Sequence, residues 1–235
     1  MINFNMVWNG VHFNTDTVIP WPVIVILAIV YLASLIMYWK IKAPKNNLKF
    51  TTRDATYIGL VAAILVVYHY FITPFIPSFT VFNDFFNLSL IGDIYMLLIV
   101  AALVGKPGSV AITVIVYDLL GDIAHYGFGG EPFWIIGDIM AYAMIIDLWL
   151  IFRESNFMSS KEKVLSFLDG AIGGVAYSIS VPLFFMGFWG SFVHGFIFNH
   201  TFVLFRTLAS IPEGVIFGLI LTPFVMYTKK VVRGS

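Results

Sequence analysis

Apolar residues run in seven long stretches, at about 21–39, 55–73, 88–104, 110–125, 133–152, 164–187 and 202–227, with the charged residues gathered between them. An α-helix crosses the hydrocarbon core of a bilayer with about 20 apolar residues, fewer where neighbours or a thinned bilayer help. Each stretch therefore predicts a membrane-spanning helix. The third and fourth are short and are joined by "GKPG" at 105–108, where Pro107 and two glycines stop one helix and start the next.

Composition agrees with this pattern. The 235 residues are 60% hydrophobic and 11% charged, with a mean hydropathy of +0.91, against roughly 25% charged in soluble domains. The chain has room for one helical bundle and none for a separate soluble domain. The absence of cysteine excludes disulfides, thiolate metal sites and cysteine nucleophiles. Residues 1–20 carry no Lys or Arg, so the start lacks the basic region of a signal peptide and the first span reads as a retained helix.

Positive charge orients the bundle. All but one of the 13 Lys and Arg fall between spans one and two, three and four, five and six, or after span seven, which makes that side cytoplasmic. The expected fold is an all-α integral membrane protein of seven spans, N-terminus outside and C-terminus inside. Arg206, at the outer start of span seven, is the exception. The three outer connections, 74–87, 126–132 and 188–201, hold no Lys or Arg and are rich in aromatics and glycine, as lids over a half-buried cavity would be.

Ionisable groups within spans are costly, face the bundle interior and are functional candidates. Asp93, Asp122, His125, Asp138, Arg206 and Glu213 all fall in the outer half of their spans and, with Glu131, form one layer open to the outside. At 100° per residue, Asp118, Asp122 and His125 lie within about 60° of one another along roughly 10 Å of helix. Asp147 projects from the other side of span five and belongs to helix packing or a partner surface. Carboxylates and an imidazole at this spacing could hold a metal, but the pattern is loose. No HExxH or GxSxG supports hydrolysis. A ligand pocket uses the same groups, with Tyr126, Phe128, Trp134, Trp189 and His194 as walls. Its acidic balance suits a flat cationic or amine-bearing molecule. No cofactor or resident metal is expected, and no nucleic-acid partner.

The inner start of span two, "FTTRDATYIGLVAAILVV", places Ala55, Gly59 and Ala63 at i, i+4 and i+8, a smooth stripe for close helix packing. This stretch resembles the first core helix of the substrate-binding (S) components of energy-coupling factor transporters. "GKPGSVAITVIVYDLLGD" is similar to the Lys-Pro-Gly turn and following helix of the subset associated with thiamine or its hydroxymethylpyrimidine precursor. The resemblance covers about residues 50–230. It implies a six-helix core at 51–235; the outside segment, the additional transmembrane helix and the basic cytoplasmic linker at 1–50 depart from that pattern, and the helix reads as accessory.

It further implies that Ala55, Gly59 and Ala63 face the coupling helices of a membrane T component. ATP hydrolysis would lie in separate ATPase subunits, and the chain would capture a vitamin-like molecule at a prokaryotic plasma membrane. Nothing matches the Met-His start of metal-specific S components. The alternatives are a proton-coupled secondary transporter and a non-catalytic subunit of a larger membrane complex.

Overall fold

Long helices and their connections make up the computed structural model, which describes residues 9–45, 48–76, 87–129 and 131–234 (the Tyr126 side chain excepted) and has no strand among them. The helices are α1 (Trp21–Lys45), α2 (Thr52–Phe75), α3 (Leu90–Val104), α4 (109–126), α5 (Phe133–Asn156), α6 (Lys163–His194) and α7 (His200–Arg233). All but α3 and α4 are long and apolar enough to cross a membrane. The protein is therefore a multi-pass, all-α membrane protein. Its outward surface fits that reading: α1 exposes Ile26, Ile29, Leu32 and Ile36, and α7 exposes Leu204, Leu208, Ile220 and Phe224, as side chains facing lipid do.

Local chemistry sets the helix ends. Thr51 and Asp54 form a reciprocal capping box at the start of α2, and Asn199 accepts from the amides of Thr201 and Phe202 at the start of α7. The α3–α4 turn needs φ > 0 at Gly105 and Gly108, and Lys106 ties it to Asp54 and to the Lys49 carbonyl. Asp147 of α5 completes the turn. It is fully buried and accepts from the amides of Gly108 (2.9 Å), Val110 (3.2 Å) and Ala111 (2.9 Å) and from Tyr31 Oη (2.9 Å). One carboxylate thus satisfies the orphan amides at the N-terminus of α4 and fastens α1 to the bundle. Of the two roles expected of Asp147, helix packing is the one observed.

The closest helix pair is α6 with α7. Gly170 and Gly174 face Gly214 and Gly218, so that a Cβ on Gly174 would strike the Gly214 carbonyl and one on Gly218 the Gly170 carbonyl. Two GxxxG runs therefore bring the backbones together, and no larger residue fits at any of the four positions. The Ala55, Gly59 and Ala63 stripe contrasts with this pair. Ala55 and Ala63 are exposed, and a Cβ at Gly59 meets nothing within 4 Å.

One expectation changes. The connection expected at 188–201 is mostly helix: α6 continues to His194, and Trp189, Gly190, Ser191 and Val193 are buried. A π-helical run at Ser180–Trp189 carries the chain past Pro182 and buries Phe184 and Phe188, which extends the helix beyond its apolar core. Pro212 and Pro223 lie inside α7, which is helical from end to end. The connection at 74–87 lies outside the described residues from 77 to 86.

Candidate functional site

At one end of the bundle the helices part around a cleft of about 480 Å³, lined from α2, α4, α5 and α6. Four carboxylates enter it: Asp118 and Asp122 from α4, Asp138 from α5, and Glu131 just before α5. His69 and His194 face them, and no Lys or Arg lines the cleft among the described residues. The aromatic walls are Tyr70, Tyr117, Trp134, Tyr142 and Phe185.

Each contributing helix widens where it meets the cleft. π-Helical turns occupy Tyr68–Ile72, Asp122–Tyr126, Ile139–Ala143 and Ser180–Trp189, and they carry His69, Tyr70, Asp122, Tyr142 and Phe185. A π turn inserts one residue, rotates the side chains after it and gathers at functional sites. Four of them around one cavity place side chains where a regular helix would not.

The walls are packed in register. Trp134 and Phe185 are nearly parallel, 14° apart at 6.0 Å, and His194 lies 4.9 Å from the Trp134 ring. Opposite them, Tyr70 stacks on Tyr117 at 6.0 Å and 1°. Gly121 makes room for this stack, since a Cβ there would sit 2.8 Å from Tyr70 Oη. His69 touches both tyrosine rings and approaches Asp93 at 3.5 Å, and Asp93 also accepts from Tyr177 Oη at 2.9 Å. Asp93 is thus one layer beneath the cleft and linked to it by His69.

The carboxylates lean on each other. Asp118 lies beside Asp138, and Asp122 beside Glu131. The Ile135 amide donates to Glu131 at 3.2 Å, while Asp118 Oδ2 and Asp122 Oδ2 are shielded from solvent with no hydrogen-bond partner among the described residues. Buried acceptors are normally satisfied, and carboxyls placed edge to edge require a proton or a cationic donor between them. Burial, and Asp122 beside it, push the Glu131 carboxyl up from its ordinary 4.5.

The N-terminal segment closes one side. His12 donates its amide to the Val193 carbonyl, Ile19 to that of Gly187 (both 2.8 Å), and the Asn9 side chain to that of Glu131 (2.9 Å). Phe13 packs edge-on against Phe133 and Phe192. Residues 9–19 therefore strap the ends of α5 and α6 together beside the cleft.

Of the residues expected in the pocket, the cleft unites Asp118, Asp122, Glu131, Trp134, Asp138 and His194. The others lie elsewhere. His125 stacks on Tyr70 at 5.2 Å, behind the wall rather than in it, because the π turn at 122–126 carries it round. Trp189 is buried against Gly137. Phe128 is exposed, and the Tyr126 side chain lies outside the described residues. Glu213 is fully buried on α7, where it accepts from the Asn87 amide near Arg206; these form a separate cluster facing the start of α3.

The residues that the sequence reading missed are His69, Tyr70, Tyr117, Tyr142 and Phe185. "YHYFI" at 68–72, a polar aromatic run closing an apolar helix, was the available signal. Among the described residues no three His, Asp or Glu side chains are set to hold a metal ion. Compared with family models, with curated proteins and with solved structures, the chain matches none.

Proposed function

We propose that the chain is the membrane-embedded substrate-binding subunit of an uptake transporter of the energy-coupling factor type. In this reading it crosses a prokaryotic plasma membrane seven times, N-terminus outside, and captures a small cationic or amine-bearing aromatic molecule from outside. The observation that carries the proposal is the acidic quartet, in which Asp118 and Asp122 each hold a shielded oxygen with no protein donor among the described residues, in a cleft lined by aromatic rings. A flat ligand with N–H groups supplies the missing donors, and its ring slots beside Trp134 and Phe185. The cleft volume falls within the roughly 300–1,000 Å³ of small-molecule sites. A vitamin such as thiamine, or its aminopyrimidine precursor, has this chemistry.

The exposed stripe of Ala55, Gly59 and Ala63 fits the second half of the proposal. It lies beside a shallow apolar groove shared with Ile112 and Val116 of α4, where a helix of a membrane T component docks. Transport energy then comes from separate ATPase subunits. A proton relay across the membrane is less well supported, because Asp147 and Asp169, the next carboxylates along the bundle, are saturated with protein donors.

Native mass spectrometry of the protein purified in mild detergent tests both halves. A retained cationic aromatic molecule, together with membrane and ATPase subunits lost on Gly59→Leu, is the expected result. An empty cleft with no response to any vitamin in a thermal-shift screen would overturn the substrate-binding reading.

A further inference from the structure

The opposite end of the bundle holds a second cleft, of about 450 Å³, between the start of α2, the α5–α6 connection and the end of α7. Arg53, Lys161, Lys229, Lys230 and Arg233 line it, and no carboxylate does among the described residues. The nearest acids are engaged elsewhere: Arg153 binds Glu162 at 2.7 Å and Asp169 at 2.8 Å. None of the five cations pairs with a carboxylate among the described residues.

The cleft is built rather than incidental. Lys229, 7% exposed, donates to the carbonyls of Ser155 (3.1 Å) and Phe157 (2.6 Å) and so fixes the connection against α7. The end of α5 and that connection hold two non-glycine residues at positive φ, Glu154 at 45° and Met158 at 53°, a conformation that persists only where the surroundings enforce it. Arg53 reaches across to the Val232 carbonyl at 3.0 Å and lies over the Tyr57 ring. The guanidinium and ammonium groups thus converge on one concavity from three elements, with the hydroxyl-bearing Ser155, Ser159 and Ser160 along its wall.

We propose that this cleft binds a phosphate-bearing anion. Clustered guanidinium and ammonium groups with hydroxyl donors and no competing carboxylate are the chemistry of phosphate recognition. The site lies at the ends of membrane-length helices, the level of phospholipid headgroups. The phosphodiester of an anionic phospholipid and the phosphate of a soluble metabolite offer the same group to it. The site is distinct from the acidic cleft, and a ligand here stabilises the α5–α6 connection against α7.

The test is native mass spectrometry of the whole protein in non-ionic detergent, with phosphatidylglycerol, phosphatidylcholine and inorganic phosphate as probes. Preferential retention of phosphatidylglycerol that inorganic phosphate does not displace identifies the lipid, whereas displacement by millimolar phosphate identifies a soluble phosphate. Each cation beside an anionic headgroup contributes about a fivefold factor. Lys230→Gln with Arg233→Gln should therefore weaken binding by about 25-fold, with the thermal midpoint and the response of the acidic cleft to vitamins unchanged. Lys161→Gln, on an exposed side chain, provides an independent variant and should weaken binding about fivefold. Equal retention of phosphatidylglycerol and phosphatidylcholine with no phosphate binding, or binding indifferent to these substitutions, would overturn the proposal.

Discussion

Carboxylates at the two ends of this bundle live by opposite rules. Toward the basic end, Asp147 accepts from three amides and a tyrosine hydroxyl, and Asp169 accepts from Trp149, Arg153 and the Met158 amide. Asp54 accepts from Thr51 and Lys106. Each is at most 3% exposed, and each joins segments that would otherwise have orphan donors. Toward the other end, Asp118, Asp122, Glu131 and Asp138 share one cleft and mainly meet each other. Burial alone does not separate structural acids from functional ones, since Asp118 is only 9% exposed. The supply of donors does: Asp147, Asp169 and Asp54 are satisfied by their own chain and hold the fold, whereas Asp118 and Asp122 each keep a shielded oxygen with no hydrogen-bond partner among the described residues.

The contrast can be broken most violently at Asp147. Asp147→Ala would leave three amides and Tyr31 Oη without their acceptor, and each buried donor left unsatisfied costs about 1–3 kcal/mol. The expected outcome is loss of the monodisperse peak in size-exclusion chromatography, or a large fall in the thermal midpoint. Asp118→Asn sharpens the same contrast from the other side. It removes a charge from a crowded acidic site, so the thermal midpoint of the ligand-free protein should stay level or rise, as at sites where function opposes stability.

Trp134→Ala comes next in size. Removing one aromatic face from a desolvated cation should cost about 1–2 kcal/mol of affinity, roughly tenfold, measured by titration calorimetry with little change in fold. The smallest effect is in pH. Burial raises the Glu131 carboxyl in the folded protein, so its neutral form is more favoured there than in an ordinary glutamate, and Glu131 adds stability as pH falls through its raised value. A bound cation favours the ionised form instead. Affinity should therefore begin to fall on acidification while the pH is still above 4.5, the ordinary glutamate value, and Glu131→Gln should flatten that dependence.

Much of this was legible in the sequence. The seven apolar stretches correspond to helices α1–α7, five of them long and apolar enough to cross a membrane, and four of the expected pocket acids (Asp118, Asp122, Glu131, Asp138) meet in one cleft. What escaped depends on geometry that a regular 100° projection cannot carry. The π turns moved His125 behind Tyr70 and brought in His69, Tyr142 and Phe185, because an inserted residue shifts every later side chain around the helix.

Small-residue spacing was ambiguous in another way. The same i, i+4 pattern occurs at Ala55, Gly59 and Ala63 and at Gly170–Gly174 and Gly214–Gly218. Only the last two face each other inside the chain. The pattern states that a backbone can come close, and the structure states whose.

The most direct test of the central claim is isothermal titration of the purified protein with thiamine and hydroxymethylpyrimidine, repeated on the Asp118→Asn, Asp138→Asn double variant. The account predicts saturable binding of a cationic or amine-bearing aromatic compound to the native protein, weakened by at least about tenfold in the folded variant. Affinity unchanged by the loss of both carboxylates would contradict it, as would the absence of binding by any compound of that class.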